Sequence, residues 1–252
     1  MIIKQIRDIT LIDIDENRYL GISCDSCGGI GEKEHDMVKA PTVIVGEQTA
    51  KVVLAELLSM GFEPLVLSDG LAVEMNDTGQ KIIEGFNNTV NMLKHSKVHL
   101  TGSTEENMKT VQTSIGTTGI GIVLKDKLKF NKTSAGDLCI AIGLPLVGYE
   151  VLKNPDKIMS IEDFETISRL DYINEIIPVG SKGAAYEINE LCKCNNLAIE
   201  YRNDISYDIK HSGGPSCSCI LSIEEKNLYL LKELIYKPIE ILGKFIEWLY
   251  TL

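Results

Sequence analysis

Apolar and polar residues alternate along IRDITLIDID (6–15) and YLGISCDS (19–26), a period of two that predicts two strands joined by a polar ENR turn. The period then changes. GEQTAKVVLAELLSMG (46–61) carries apolar residues at helical spacing and closes on Gly61, so it predicts a helix running into the strand-like EPLVLSDGLAVEM. GQKIIEGFNNTVNMLKHSK predicts a second helix, VHLTGSTEEN a short strand passing into a polar loop, and IGTTGIGIVL a Gly-punctuated strand.

After the charged KDKLKFNKTSAGD stretch, DLCIAIGLP is a continuous apolar run of the kind that forms a buried strand. INEIIPVG, LAIEY and SCSCILSI read as further strands, and KGAAYEINELCKC as a helix. Both halves mix strands with helices, which makes the chain α+β or α/β in two layers. The expected division is residues 1–134, residues 135–226, and a tail of 227–252. The tail, NLYLLKELIYKPIEILGKFIEWLYTL, is apolar, yet Lys232, Glu233, Lys237, Glu240, Lys244 and Glu247 recur along it and Pro238 interrupts it. A spanning helix needs about 20 largely uncharged residues. The pattern predicts two amphipathic helices, docked on the body or on a second subunit, with attachment to a membrane surface as the alternative.

Composition narrows the partners. The net charge of -11 and the lack of a basic stripe argue against a duplex nucleic-acid binder, which neutralises phosphates with clustered Lys and Arg. The first 15 residues contain no apolar core followed by a small-residue cleavage site, so a cytoplasmic location is the default expectation. Seven cysteines include a C-x-x-C at Cys24 and Cys27; free thiols in a reducing compartment are the simplest account, and a zinc site would need four convergent ligands.

Two segments carry candidate chemistry. In CDSCGGIGEKEHD (24–36), Gly28, Gly29 and Gly31 would let backbone N–H groups approach phosphate oxygens, Lys33 would neutralise charge, and Asp25 or Asp36 would hold Mg²⁺; the same residues also suit a plain hairpin turn. It is neither a Walker loop nor a dinucleotide fingerprint. In TGSTEENMKTVQTSIGTTGIG (101–121), Glu105 and Glu106 are metal candidates, and Thr104, Asn107, Gln112 and Thr113 offer hydrogen bonds to a polar ligand; a helix-capping loop is the other reading. Asp69 follows an apolar strand, a common ligand position, although Asp-Gly is also an ordinary turn. His35 is a candidate acid or base, His95, His99 and His211 show no ligand spacing, and SGGPS lacks a hydrolase nucleophile elbow.

The order of these segments resembles the family of aminoimidazole-ribonucleotide synthetase, selenophosphate synthetase, thiamine-monophosphate kinase and a hydrogenase-maturation protein. CDSCGGIGEKEHD, LAELLSMGFEPLVLSDGLAV, LTGSTEENM, SAGDLCIAIGLPLVGYEVL and HSGGPSCSCILSI match the family's motifs in the family's order. The resemblance implies a two-domain ATP-using enzyme. Its N-terminal domains would pair through β-sheets in a homodimer, and the second domain would be an α/β sandwich. It also places Glu56 where most members carry a metal-binding Asp. The small kinase-like branch fits best, and TGSTEENM with QTSIGTTGIG looks like the α-ribazole kinases of cobamide salvage. The expected reaction is Mg²⁺-dependent transfer of the ATP γ-phosphoryl group to a hydroxyl of a ribose-containing small molecule. Asp25, Lys33, Glu56 and Asp69 are the catalytic candidates. A synthetase of the same family and a non-catalytic binding protein keeping the fold are the rivals.

Overall fold

The computed structural model describes residues 2–248, in two compact units that divide between Leu128 and Lys129. In the first, β1 (Ile3–Ile6), β2 (Ile9–Asp13) and β3 (Arg18–Gly28) form a meander. The alternating run 6–15 is therefore broken: Arg7, at φ 51°, and Asp8 make a two-residue turn between paired Ile6 and Ile9. The short β4 (Ile30–Gly31) and β5 (Val38–Lys39) pair in parallel and close the glycine-rich segment on itself. Then come α1 (Thr42–Ser59), β6 (Glu63–Leu71), α2 (Gln80–Met92), β7 (His99–Thr104) and β8 (Ser114–Leu124).

The six long strands order as β1-β2-β3-β8-β6-β7, antiparallel except for β6 beside β7. Helix α1 covers one face, with Leu57 resting on Gly119 of β8. Helix α2 crosses α1 at glycines: a Cβ on Gly85 would lie 2.1 Å from the Val43 carbonyl oxygen, and one on Gly46 would lie 2.4 Å from that of Ile82. The opposite face carries Ile12, Leu20, Ile22, Ile120 and Ile122 in cross-strand rows, all partly exposed.

The second unit contains β9 (Leu138–Ile142), α3 (Tyr149–Lys153), α4 (Ile161–Ser168), β10 (Ile173–Pro178), α5 (Ala184–Asn195), β11 (Leu197–Tyr201), β12 (Cys219–Ile223), α6 (Leu228–Leu234) and β13 (Ile239–Glu247). Its sheet runs β10-β12-β9-β13-β11, antiparallel throughout. Every residue of β9 is buried, as the continuous apolar run predicts for an inner strand. Ser160 and Asp163 form a reciprocal capping box at the start of α4.

Two expectations are corrected here. Residues 129–134, expected to end the first domain, belong to the second unit, where Oε1 of the buried Glu175 accepts the amides of Lys132 and Thr133 and the Thr133 hydroxyl. The tail is not a pair of amphipathic helices. After the seven-residue α6 it becomes β13, inserted between β9 and β11 in the sheet. An irregularity between Ile241 and Gly243 shifts its alternation, so that buried Leu242 and Phe245 stand three apart and imitate a helical stripe. The apolar helix face on which a membrane-surface attachment would depend is therefore not formed over 235–247. Residues 249–252 of the expected tail lie outside the described residues. No helix among the described residues is long and apolar enough to cross a membrane.

Candidate nucleotide site

The first unit holds every sequence-predicted site residue. β3 continues through Gly28, so Asp25 lies within a strand rather than in a loop. Asp25 pairs in register with Thr117 of β8, which pairs with Asp69 of β6, which pairs with Gly102 of β7. In-register residues on adjacent strands share a face, and this is the α1-covered face, where Ser23, Leu67, Leu71 and Ile115 are buried. Thr117 is 3% exposed, and its Oγ1 has no hydrogen-bond partner. Burial raises the pKa of Asp25, and the like charge of Asp8 adds to it; burial likewise raises Asp69, against an opposing hydrogen bond from the Ser103 backbone.

The two carboxylates do not share a site. Their Cα atoms are separated by two strand spacings, ~10 Å, and the Asp69 carboxylate lies over the edge strand, where a Cβ on Gly102 would meet Oδ1 at 2.1 Å. Glu105 is occupied in its own loop, Oε1 accepting the amides of Asn107 at 2.7 Å and Met108 at 3.1 Å, and these bonds lower its pKa. Glu106 accepts from the Thr104 hydroxyl. Among the described residues no three His, Cys, Asp or Glu side chains converge as a metal site, so the expected set of Asp25, Glu105 and Glu106 is not assembled by the protein alone. Glu56 stands in the middle of α1, partly buried. Cys24 and Cys27, three apart on β3, point to opposite faces of the sheet. A joint role for the C-x-x-C is thereby removed. Cys24 is exposed and within 3.4 Å of the Thr118 hydroxyl.

The glycine-rich segment is fastened to the 110–113 loop. Asp36, 5% exposed, accepts the Thr113 amide on Oδ1 at 2.7 Å, and the Thr113 hydroxyl and Lys33 amide on Oδ2 at 2.7 and 2.9 Å. Gly31, at φ +152°, lies directly under this junction, since a Cβ there would sit 2.4 Å from Thr113 Oγ1 and 2.7 Å from Asp36 Oδ2. The Gly29 amide donates to the Thr113 carbonyl, and Gln112 Nε2 to that of His35. Gly28 closes the β3–β8 ladder opposite Ser114. Thr113 is thus committed to the fastening rather than free for a ligand, and the glycine-rich segment owes at least Gly31 to packing. Glu32 accepts the hydroxyl and amide of Thr42 at the start of α1 and pairs with Lys81 of α2.

Lys33 is held as well. Its Nζ lies 2.6 Å from Glu74 Oε2 and 3.1 Å from the Thr110 carbonyl oxygen. Lys33 and the Thr110 amide and hydroxyl together hold the Glu74 carboxyl down to about 2. The sequence reading did not single out Asp8, Glu74, Thr110 or Thr117. Only Glu74 left a trace, as a lone charge at the end of the apolar LAV run.

Residues 7–123 match the family described as AIR synthase related protein, N-terminal domain. That span takes in nearly the whole first unit and just under half of the chain. Solved structures with the same fold include a thiamine-monophosphate kinase from Stenotrophomonas maltophilia (16% identity, 96% of this chain and 90% of that one, TM-score 0.66). A hydrogenase maturation protein HypE in complex with ATP shares 16% identity over 94% of this chain and 78% of that one, at TM-score 0.63. PurL of Thermotoga maritima complexed with ATP shares 16% over 94% of this chain but only 42% of its own, at TM-score 0.65. No curated protein sequence matches significantly.

Proposed function

We propose that this protein is an Mg²⁺-dependent small-molecule kinase that transfers the ATP γ-phosphoryl group to a hydroxyl of a ribose-containing acceptor of the α-ribazole type, in cobamide salvage. The observation that carries the reading is the strand row at Asp25. A carboxylate whose charged form is disfavoured by burial, with the like charge of Asp8 adding to it, pairs in register with a buried, unpaired Thr117 hydroxyl on one face of an AIR synthase related domain. Such a group is relieved by a cation and its oxygen ligands. The residues of this row fit such an ion: Asp25 would hold Mg²⁺, with the unpaired Thr117 hydroxyl beside it. Mg²⁺ supplies charge neutralisation at the β- and γ-phosphates.

The protein's own part is positioning. Lys33 presents a cation beside the phosphates, backbone amides of the fastened 28–36 segment set their register, and exposed Asn107 and Gln112 and half-buried Thr104 offer donors and acceptors to the acceptor molecule. The apolar rows on the uncovered sheet face support pairing of two copies as a homodimer, because burying partly exposed Ile and Leu is favourable. A cytoplasmic location accompanies this chemistry. The fold likeness to a thiamine-monophosphate kinase and to PurL complexed with ATP supports an ATP-using enzyme.

The test is Mg²⁺-dependent ATP consumption with α-ribazole, thiamine monophosphate and formylglycinamidine ribonucleotide, with products identified by mass spectrometry. Phosphorylated α-ribazole is expected, with turnover lost in Asp25→Asn at unchanged thermal stability. Full turnover in a folded Asp25→Asn variant sinks the site assignment. A product from formylglycinamidine ribonucleotide alone sinks the kinase assignment.

A further inference from the structure

A lysine ammonium has three N–H donors and no acceptor. In Lys33 one donor goes to Glu74 Oε2 at 2.6 Å and one to the Thr110 carbonyl at 3.1 Å, and among the described residues no third acceptor takes the last. The side chain is only 14% exposed, so these two bonds fix an ammonium that would otherwise sweep through solvent on a flexible stem. Glu74 is fixed in its turn. Its Oε1 accepts the Thr110 amide at 2.7 Å and its Oε2 the Thr110 hydroxyl at 2.8 Å. Both oxygens are anchored to one residue of the neighbouring loop before Lys33 is counted.

We infer that Glu74 is a positioning residue for nucleotide phosphate: held by Thr110, it aims the remaining N–H of Lys33 at the phosphate oxygens without touching them itself. The inference rests on the nucleotide reading given above. Glu74 lies just beyond β6 and Thr110 in the loop before β8, so an element remote in sequence sets the direction of a charge on the glycine-rich segment. A pair that merely fastened the segment would make the same two bonds, and ligand selectivity separates the two roles. An aimed ammonium favours ligands that carry phosphate. A fastener supports every ligand equally.

The experiment is calorimetric titration of the full chain with Mg²⁺-ATP and, separately, with adenosine, for the parent, Lys33→Ala, Glu74→Gln, the double variant and Glu74→Asp. Each single variant is expected to weaken ATP about tenfold, the effect of one charge-assisted hydrogen bond, while adenosine affinity stays unchanged. The double variant should bind ATP no more weakly than Lys33→Ala, and Glu74→Asp should recover part of the loss. Equal losses for ATP and adenosine, an additive double variant, or a Glu74→Gln protein that binds ATP like the parent would each overturn the inference. If the parent binds ATP and Lys33→Ala binds it equally well, the phosphate role of Lys33 and this inference fall while the nucleotide site stands. If the parent binds no ATP, the nucleotide reading itself fails.

Discussion

Replacing Asp36 with alanine removes the acceptor on which the glycine-rich segment closes. Three donors lose their partner: the Thr113 amide, the Thr113 hydroxyl and the Lys33 amide. They are not equivalent. Thr113 is 0% exposed, so its amide is left without water, at a cost of about 1–3 kcal/mol for an orphaned buried donor. Its hydroxyl can rotate toward another acceptor and contributes about 1 kcal/mol. The Lys33 amide lies nearer the surface and is rehydrated at little cost. The expected sum is about 3 kcal/mol, or a fall in melting temperature of roughly 6–12 °C for a chain of this size. Asp36→Asn should lose less, because the amide keeps one acceptor but sets a donor against the Lys33 N–H or the Thr113 hydroxyl. The assay is denaturant unfolding of the full chain followed by far-UV circular dichroism, with Thr113→Val as a companion that deletes only the hydroxyl bond. An Asp36→Ala loss below about 1 kcal/mol would refute the reasoning, since it would mean that the buried amide finds a substitute partner at once.

The Lys33–Glu74 pair predicts a pH signature: a carboxyl lowered from 4.5 to about 2 on folding adds stability that is complete above the unfolded value and is lost as pH falls through the folded one. The stability difference between the parent and Glu74→Gln should therefore shrink between pH 4.5 and 2, and a difference constant over that range would contradict the pairing. Gly85→Ala places a methyl 2.1 Å from the Val43 carbonyl oxygen and should cost about 1–3 kcal/mol or more by prising α2 from α1, measurable as a lowered unfolding midpoint; an unchanged midpoint would show the crossing to be looser than described. Ile241→Pro removes a ladder N–H from an inner strand, so the second unit should become sensitive to limited proteolysis. Full resistance would return the tail to an accessory role.

Local patterning was enough for most elements. The alternating 19–26 and 115–124 runs, the helical spacing over 46–61 and the apolar 138–142 run each carry their periodicity within one segment, because side-chain direction repeats every 2 or 3.6 residues whatever surrounds it. The resemblance and the candidate segments followed from that same local order. The tail shows where this stops. Residues 239–247 have charges and buried residues at spacings close to helical, and only the vacancy between β9 and β11, some 40 to 100 residues away in sequence, makes a strand the better solution.

The candidate site divides in the same way. The sequence by itself determined which residue types gather after β3 and after β7. Tertiary structure alone decided their duties. It turned Asp36 and Thr113 into a lock, tied Lys33 to Glu74 across 41 residues, set Asp69 over Gly102, and brought Thr117 beside Asp25. The physical reason is that hydrogen bonds, ion pairs and desolvation depend on distance in space, and a sequence fixes composition and local periodicity but not which distant groups meet.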